Sequence, residues 1–168
     1  MKIILIHWEY FRWVLYHTRS TSSIYNTKVR KLTEDAKASG QEVVLRIIGK
    51  KGTEYFKRRD AEIRKSYTGL LSSLKFSSAQ EIATELTMLF DEGRIDKVIL
   101  VYNEFVSVGS QKVIEKQLLP ILPPPELLPT GDASASLVDY IYEPGAMEIL
   151  ADLLPRYITN QIWASLIE

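Results

Sequence analysis

The stretch 96–122, DKVILVYNEFVSVGSQKVIEKQLLPIL, decides the fold predicted for this chain. Its run 98–101, VILV, is short, continuous and rich in β-branched residues, which is typical of a strand buried on both faces of a sheet. A second β-rich piece at 105–108 precedes a turn at Gly109-Ser110, and residues 113–122 predict a further extended segment that ends in prolines. A strand buried on both faces needs cover on both sides, so we expect helices to flank it.

The preceding part of the chain predicts a helix and then another strand. Asn26 or Thr27 can cap a helix with apolar residues at three- and four-residue spacing, and Gly40 can close that helix in a left-handed conformation. Residues 42–48, EVVLRII, form a second run of the buried-strand type. Helices and strands that alternate in this way indicate an α/β layer fold.

The first 23 residues fit this alternation poorly. Residues 2–6 can form a strand, but the aromatic-rich stretch 7–16 has neither the period of a strand nor that of a helix. Residues 18–23 predict a polar loop. We therefore interpret residues 1–23 as an aberrant N-terminal segment that contains a possible first strand.

The middle of the chain continues the alternation. Residues 49–52, GKKG, form a turn into a basic helix that contains Tyr55, Phe56 and Ile63. Residues 67–76 predict a short extended or irregular connection. The turn could hold a phosphate at the helix N-terminus, but two glycines and two lysines are more common in a plain turn.

Two further helices are predicted downstream. Ser78 and Glu81 have the spacing of a capping box, and Gly93 follows the last apolar position of the helix that they open. Pro144 suits the first turn of a last helix, whose apolar positions extend to the end of the chain. Pro155 lies inside that helix and is expected to bend it.

Composition describes an ordinary globular chain. Its 168 residues fit one domain, 46% are hydrophobic, 25% are charged, and the net charge is zero. Residues 28–65 carry 12 basic and 6 acidic side chains, whereas residues 66–168 carry 6 and 14. The basic cluster is interspersed with acidic residues and matches no nucleic-acid-binding module, so a solvated helix face is favoured over nucleic-acid binding.

The sequence indicates no chemistry of its own. The chain has no cysteine, His7 and His17 have no further ligand at metal-binding spacing, and no dinucleotide or P-loop motif is present. We therefore predict no catalytic, cofactor-binding or metal-binding residues. Tyr140 and Tyr142, beside Asp139 and Glu143, suit a protein contact; packing beneath the proline-rich stretch before them is an equal alternative.

Residues 24–168 closely resemble the central part of the γ subunit of the F-type ATP synthase. The resemblance lies in segments that follow one another in the family's order: IYNT (24–27), GKKGTEYFKRR (49–59), FSSAQEIATELTMLFDEGRID (76–96), VYNEFVS (101–107), SQK (110–112), QLLPIL (117–122), DYIYEP (139–144) and LLPRYITNQIW (153–163).

The resemblance implies a three-layer, Rossmann-like α/β domain, with a mostly parallel sheet flanked by helices and the start of a long C-terminal helix. It implies a non-catalytic rotor subunit of the central stalk, whose foot couples rotation of the c-ring to ATP synthesis through a coiled coil. The implied partners are the ε subunit, the c-ring and the α/β hexamer. The implied location is the cytoplasmic side of the bacterial inner membrane, which the chain reaches only through the complex.

The resemblance also implies a role for the segment DYIYEP, which lies at the foot in this family. It makes Asp139, Tyr140, Tyr142 and Glu143 the candidates for contact with the c-ring or ε. The family's N-terminal helix and the glycine-rich loop after the first strand are missing, so residues 24–168 are expected to form a γ domain truncated at both ends. An independent α/β domain that binds a small ligand or has an enzymatic activity is the alternative.

Overall fold

A computed structural model describes residues 2–8, 19–59, 61–107, 110–122, 143 and 145–167. In chain order the elements are β1 (Lys2–Trp8), α1 (Arg19–Ala38), β2 (Glu42–Ile48), α2 (Lys50–Lys57), β3 (Ile63–Tyr67), a 3₁₀ turn (Leu70–Ser73), α3 (Phe76–Asp91), β4 (Lys97–Ser107), β5 (Ser110–Leu119) and α4 (Ala146–Ile167).

The described strands form one mostly parallel sheet in the order β3-β2-β1-β4-β5. Strands β3, β2, β1 and β4 are parallel, and β5 returns antiparallel to β4 at the edge. Apolar residues of α1 and α2 cover one face of the sheet, and those of α3 and α4 cover the other. The three-layer, Rossmann-like α/β fold is therefore confirmed.

The two central apolar runs behave as predicted, because each is covered on both faces. Val98 and Leu100 of β4 belong to the core beneath α3 and α4, whereas Ile99 and Val101 belong to the core beneath α1 and α2. In β2, every residue from 43 to 48 is buried. Burial on both sides removes the polar alternation of a half-exposed strand, which is why 98–101 is continuously apolar and 43–48 is apolar apart from Arg46.

The structure extends the prediction for the first strand and corrects the prediction for the loop that follows it. β1 spans Lys2–Trp8 and pairs with both β2 and β4, so the possible first strand is a central strand of the sheet. Helix α1 begins at Arg19, so the polar loop predicted over 18–23 is wrong, and Asn26 and Thr27 lie inside the helix. Residues 20–23 contain no glycine or proline, and packing farther along a helix readily overrides the weak helix propensity of serine and threonine. The stretch 9–18 lies outside the described residues.

The strand β3 was missed. The predicted basic helix ends at Lys57, and Ile63 begins β3 instead of belonging to α2. Its sequence, IRKSY, conceals the strand because the three central residues are exposed at the edge of the sheet. Charged side chains are common on edge strands, where they oppose pairing with another chain.

The downstream helices agree with the predictions except at their starts. Helix α3 begins at Phe76 with no side-chain cap at Lys75, so the capping box predicted at Ser78 does not open it. Gly40 and Gly93 adopt positive φ angles of 71° and 65° after α1 and α3, where a left-handed residue satisfies the last carbonyl groups. Pro155 lies inside α4 as predicted, and Pro144 lies outside the described residues.

Candidate interaction surface

In the described part of the chain, helix α4 packs on α3 and the sheet through one face of its second half. Ile158, Ile162 and Leu166 are buried against α3 and the sheet, and Thr159 and Ser165 are buried beside them. The ring of Trp163 also contacts the ring of Phe76 edge-to-face, with centroids 5.7 Å apart. These contacts fix the orientation of α4 and determine which of its residues face solvent.

The opposite face of α4 carries a heptad pattern along its whole length. Successive residues are spaced alternately by four and three, as are positions a and d of a coiled coil. All of them are exposed, and we call this set the α4 seam: Ala146, Leu150, Leu153, Tyr157, Asn160, Ala164 and Ile167. Leu150 is 48% exposed, Leu153 51% and Tyr157 40%. A seam of this kind is the surface on which another helix packs.

The first half of α4 is apolar beyond the seam as well. Met147 is 79% exposed and Leu154 is 40% exposed, both on one flank of the seam. In the second half the flanks are occupied within the domain, because Lys116 Nζ donates to Gln161 Oε1 at 2.5 Å and Trp163 packs on Phe76. Large exposed apolar surfaces on soluble proteins mark sites of association.

Of the four predicted contact residues, the structure places one. Glu143 is exposed three residues before α4, at the end where the seam begins. Asp139, Tyr140 and Tyr142 lie outside the described residues. The predicted contact segment therefore leads directly into the most exposed apolar part of the helix.

Sequence reasoning missed the seam because it merged two faces of α4 into one apolar stripe. Leu150, Leu153 and Tyr157 face away from Ile158 and Ile162, but all five belong to one run of apolar residues at helical spacing. The four-three spacing from Ala146 to Ile167 is present in the sequence, but only the positions of α3 and the sheet show that this face does not pack on them.

A cluster of charged groups links β2, β3 and α3. The Arg46 side chain is 3% exposed, and its Nη2 donates to Glu85 Oε1 at 2.9 Å. Lys65 Nζ donates to Glu85 Oε2 at 2.7 Å, and the Tyr67 hydroxyl donates to the same oxygen at 3.3 Å. The hydrogen bond from Arg46 is the main cause that lowers the pKa of the Glu85 carboxyl to about 2. The hydrogen bond to Glu85 raises the pKa of Lys65, and burial raises that of Tyr67.

This cluster is structural. Neutralising a buried arginine requires a carboxylate in direct contact, and Glu85 supplies it from α3.

A cavity of about 440 Å³ lies elsewhere, between α1 and α2, and is lined by Arg30, Thr33, Glu34, Lys37, Phe56, Arg59 and Ala61. Glu85, Lys65 and Tyr67, whose pKa values are shifted, do not line this cavity, so the two features do not form one site that would favour the small-ligand alternative.

The glycine turn before α2 serves the fold. Gly49 has a φ of 121°, which favours glycine, and its N–H donates to the carbonyl of Tyr67 at 3.1 Å. Thr53 Oγ1 donates back to the Gly49 carbonyl at 2.7 Å. Gly49, Gly52 and Thr53 are all buried, so this turn packs within the domain where it joins β2 to α2.

Metal-binding and membrane-spanning features were sought in the same residues. Within the described ranges, no three His, Asp or Glu side chains form a group that could hold a metal ion. His17 lies outside those ranges. Among the described helices, none has the length and apolar character needed to cross a membrane.

A family model and curated relatives that match this chain all belong to the ATP synthase. A family model described as ATP synthase matches residues 19–168. An ATP synthase gamma chain from Anaeromyxobacter sp. (strain K) is 43% identical over 147 residues, which are 88% of this chain and 49% of the relative. One from Anaeromyxobacter sp. (strain Fw109-5) is 44% identical over 128 residues, which are 76% of this chain and 42% of the relative. The chain spans about half the length of these curated relatives.

A solved structure shares the fold. The central stalk and c-ring of the Tetrahymena thermophila mitochondrial ATP synthase, determined by cryo-EM, contains a chain that matches 98% of this one, with a TM-score of 0.66 and 16% identity. The match covers 67% of that chain. At this identity the likeness establishes the arrangement of helices and strands.

Proposed function

Because this chain belongs to the ATP synthase gamma-chain family, we propose that it forms the foot of the central-stalk rotor in a proton-translocating ATP synthase. In this role it is a non-catalytic part of the enzyme complex. It receives torque from the c-ring and passes it through a coiled coil to the α/β hexamer, where ATP is made. Its proposed location is the cytoplasmic side of the bacterial inner membrane, where it is held through the complex. Nucleic acid is not among its proposed partners.

The observation that carries this proposal is the α4 seam. A helix that presents heptad-spaced leucines and a tyrosine to solvent is half of a coiled coil. Its opposite face is anchored to α3 and the sheet through Ile158, Ile162 and Leu166. A partner helix on the seam would therefore be coupled rigidly to the α/β domain. Such coupling is what transmission of torque requires.

The domain division follows from the same proposal. We propose that residues 24–168 form the γ domain, to which residues 1–23 add β1 and the first turn of α1. The coiled-coil partner would come from helical segments outside residues 24–168. The charge cluster around Arg46 then stiffens the domain by connecting two strands to α3.

We expect the foot to bind the ε subunit from the same source through the segment that ends at Glu143. Tyr140→Ala and Glu143→Lys are each expected to weaken the complex about tenfold or more, since a tyrosine anchor and a charge at the centre of an interface are frequent hot spots. Size-exclusion chromatography with mass detection, followed by titration calorimetry, measures the stoichiometry and the affinity.

The matched control for this experiment is Glu81→Lys, which makes the same charge reversal on the exposed side of α3. It should leave ε binding unchanged. Formation of a complex that is equally insensitive to Tyr140→Ala and Glu143→Lys would remove these residues from the contact surface. Absence of any complex with the wild-type chain would contradict the role as a foot that holds ε.

A further inference from the structure

We propose that Asn160 is the specificity-determining residue of the α4 seam. It sets the register of the helix that packs there and requires that helix to present a polar side chain opposite it. This inference rests on the proposed function, because it needs the seam to be covered.

The position of Asn160 is what distinguishes it. It follows Tyr157 and precedes Ala164 in the seam, and it is the only amide or charged side chain among the seven seam residues. A single asparagine within an otherwise apolar seam is a known device for fixing register and partner, at some cost in affinity.

The hydrogen-bonding capacity of Asn160 is available to a partner. Its polar neighbours are engaged within the domain: Arg156 Nη2 donates to Asp152 Oδ1 at 3.1 Å, and Thr159 Oγ1 donates to the Pro155 carbonyl at 2.9 Å. Gln161 accepts from Lys116. Among the described residues, none forms a hydrogen bond with the Asn160 side chain, whose amide can make several bonds.

The amide is also held in a fixed place. Ile158 and Ile162, two residues before and after it, are buried in the core beneath α4. Asn160 thus lies on the anchored half of the helix, whereas Leu150 and Leu153 lie on the half that extends from the domain. A rigidly positioned polar group discriminates between registers better than a mobile one, because it cannot move to find another partner.

The physical basis of the discrimination is desolvation. A helix that covers the seam removes water from Asn160, and an amide buried without a hydrogen bond is unfavourable. A partner with a facing asparagine satisfies it in one register. A partner with leucine at every layer leaves it unsatisfied, and so does a partner shifted by one heptad.

The test uses the full 168-residue chain and two synthetic helical peptides of about four heptads with leucine at their a and d positions. One peptide is all-leucine, and the other has asparagine at one central seam position. Wild-type chain is expected to bind the asparagine peptide about tenfold more tightly than the all-leucine peptide. Asn160→Leu should reverse this preference, while Gln41→Leu, an amide replacement in the connection between α1 and β2, should not change it. Fluorescence anisotropy, below the concentration at which the peptides self-associate, gives the six affinities of the three proteins for the two peptides.

The outcomes separate this inference from the proposed function. Reversal of preference in Asn160→Leu supports the role of Asn160. Binding of both peptides with the same preference in wild type and Asn160→Leu overturns that role and leaves the seam intact. If neither peptide binds the wild-type chain or any variant, the α4 seam is not a helix-binding surface, and both proposals are contradicted.

Discussion

Replacing Glu85 by alanine is expected to lower the free energy of unfolding by about 3 kcal/mol, the low end of the range for breaking a buried ion pair. The substitution leaves the guanidinium of Arg46 buried without its carboxylate, and Arg46 Nε already has no partner among the described residues. The loss is at the low end because the Glu85 side chain is 37% exposed, so solvent screens part of the interaction. Urea denaturation followed by circular dichroism measures the change.

The control for this prediction is Glu81→Ala, which removes an exposed carboxylate one turn earlier on α3. It should change the free energy of unfolding by no more than about 0.5 kcal/mol, as surface substitutions usually do. Equal effects of the two substitutions would show that Arg46 does not depend on Glu85.

The Glu85 prediction includes a pH dependence with a definite sign. The folded-state pKa of Glu85 is about 2, below the ordinary value of 4.5, so its contribution to stability is present above pH 4.5 and is lost as the pH falls toward 2. The difference in stability between wild type and Glu85→Ala should therefore be constant from about pH 5 to neutrality and should shrink between about pH 4.5 and 2. A difference that stays constant down to pH 2 would contradict the assigned contact.

Replacing Leu153 by aspartate is expected to weaken binding of a helix to the α4 seam by about 100-fold or more, because it places a charge at the centre of an apolar interface. Leu153 is 51% exposed in the domain itself, so the free energy of unfolding should change little. The affinity is measured by anisotropy with the asparagine-containing heptad peptide, and the stability by urea denaturation. The combination of intact folding and lost binding identifies a surface residue with a role in association.

The matched control is Ala151→Asp, which adds the same charge at an exposed position of α4 outside the seam. It should reduce affinity by less than about threefold, since exposed charges off an interface contribute little. If Ala151→Asp and Leu153→Asp weaken binding equally, the heptad face is not the contact surface and the helix binds by general apolar attraction.

The central layers of this fold could be predicted from sequence because burial leaves a pattern. The run 98–101 is continuously apolar, and 42–48 is apolar apart from Glu42 and Arg46, since helices cover both faces of their strands. Gly40 and Gly93 mark helix ends because they adopt positive φ angles. Strand β3 could not be predicted from Ile63–Tyr67, whose central residues are polar at the sheet edge. Its place in the sheet depends on pairing with β2, which is a contact distant in sequence.

The α4 seam, in contrast, could not be predicted from the sequence. Apolar residues along α4 predict a helix, but composition does not reveal which of them pack on the domain and which remain for a partner. Only the positions of α3 and the sheet separate Ile158 and Ile162 from Leu150, Leu153 and Tyr157. The buried pairing of Arg46 with Glu85 likewise joins residues on different elements, and neither residue carries a local signal of it.

The most direct test of the rotor assignment is a chimera in which residues 24–168 replace the matching segment of the Anaeromyxobacter sp. (strain K) gamma chain, 43% identical over its matched region. The measurement is ATP synthesis driven by a proton gradient in membrane vesicles that contain the chimeric complex. We predict that the complex assembles and makes ATP, and that Leu153→Asp in the chimera abolishes the coupling. A complex that assembles and hydrolyses ATP yet makes none under a proton gradient would contradict the claim that this domain transmits torque.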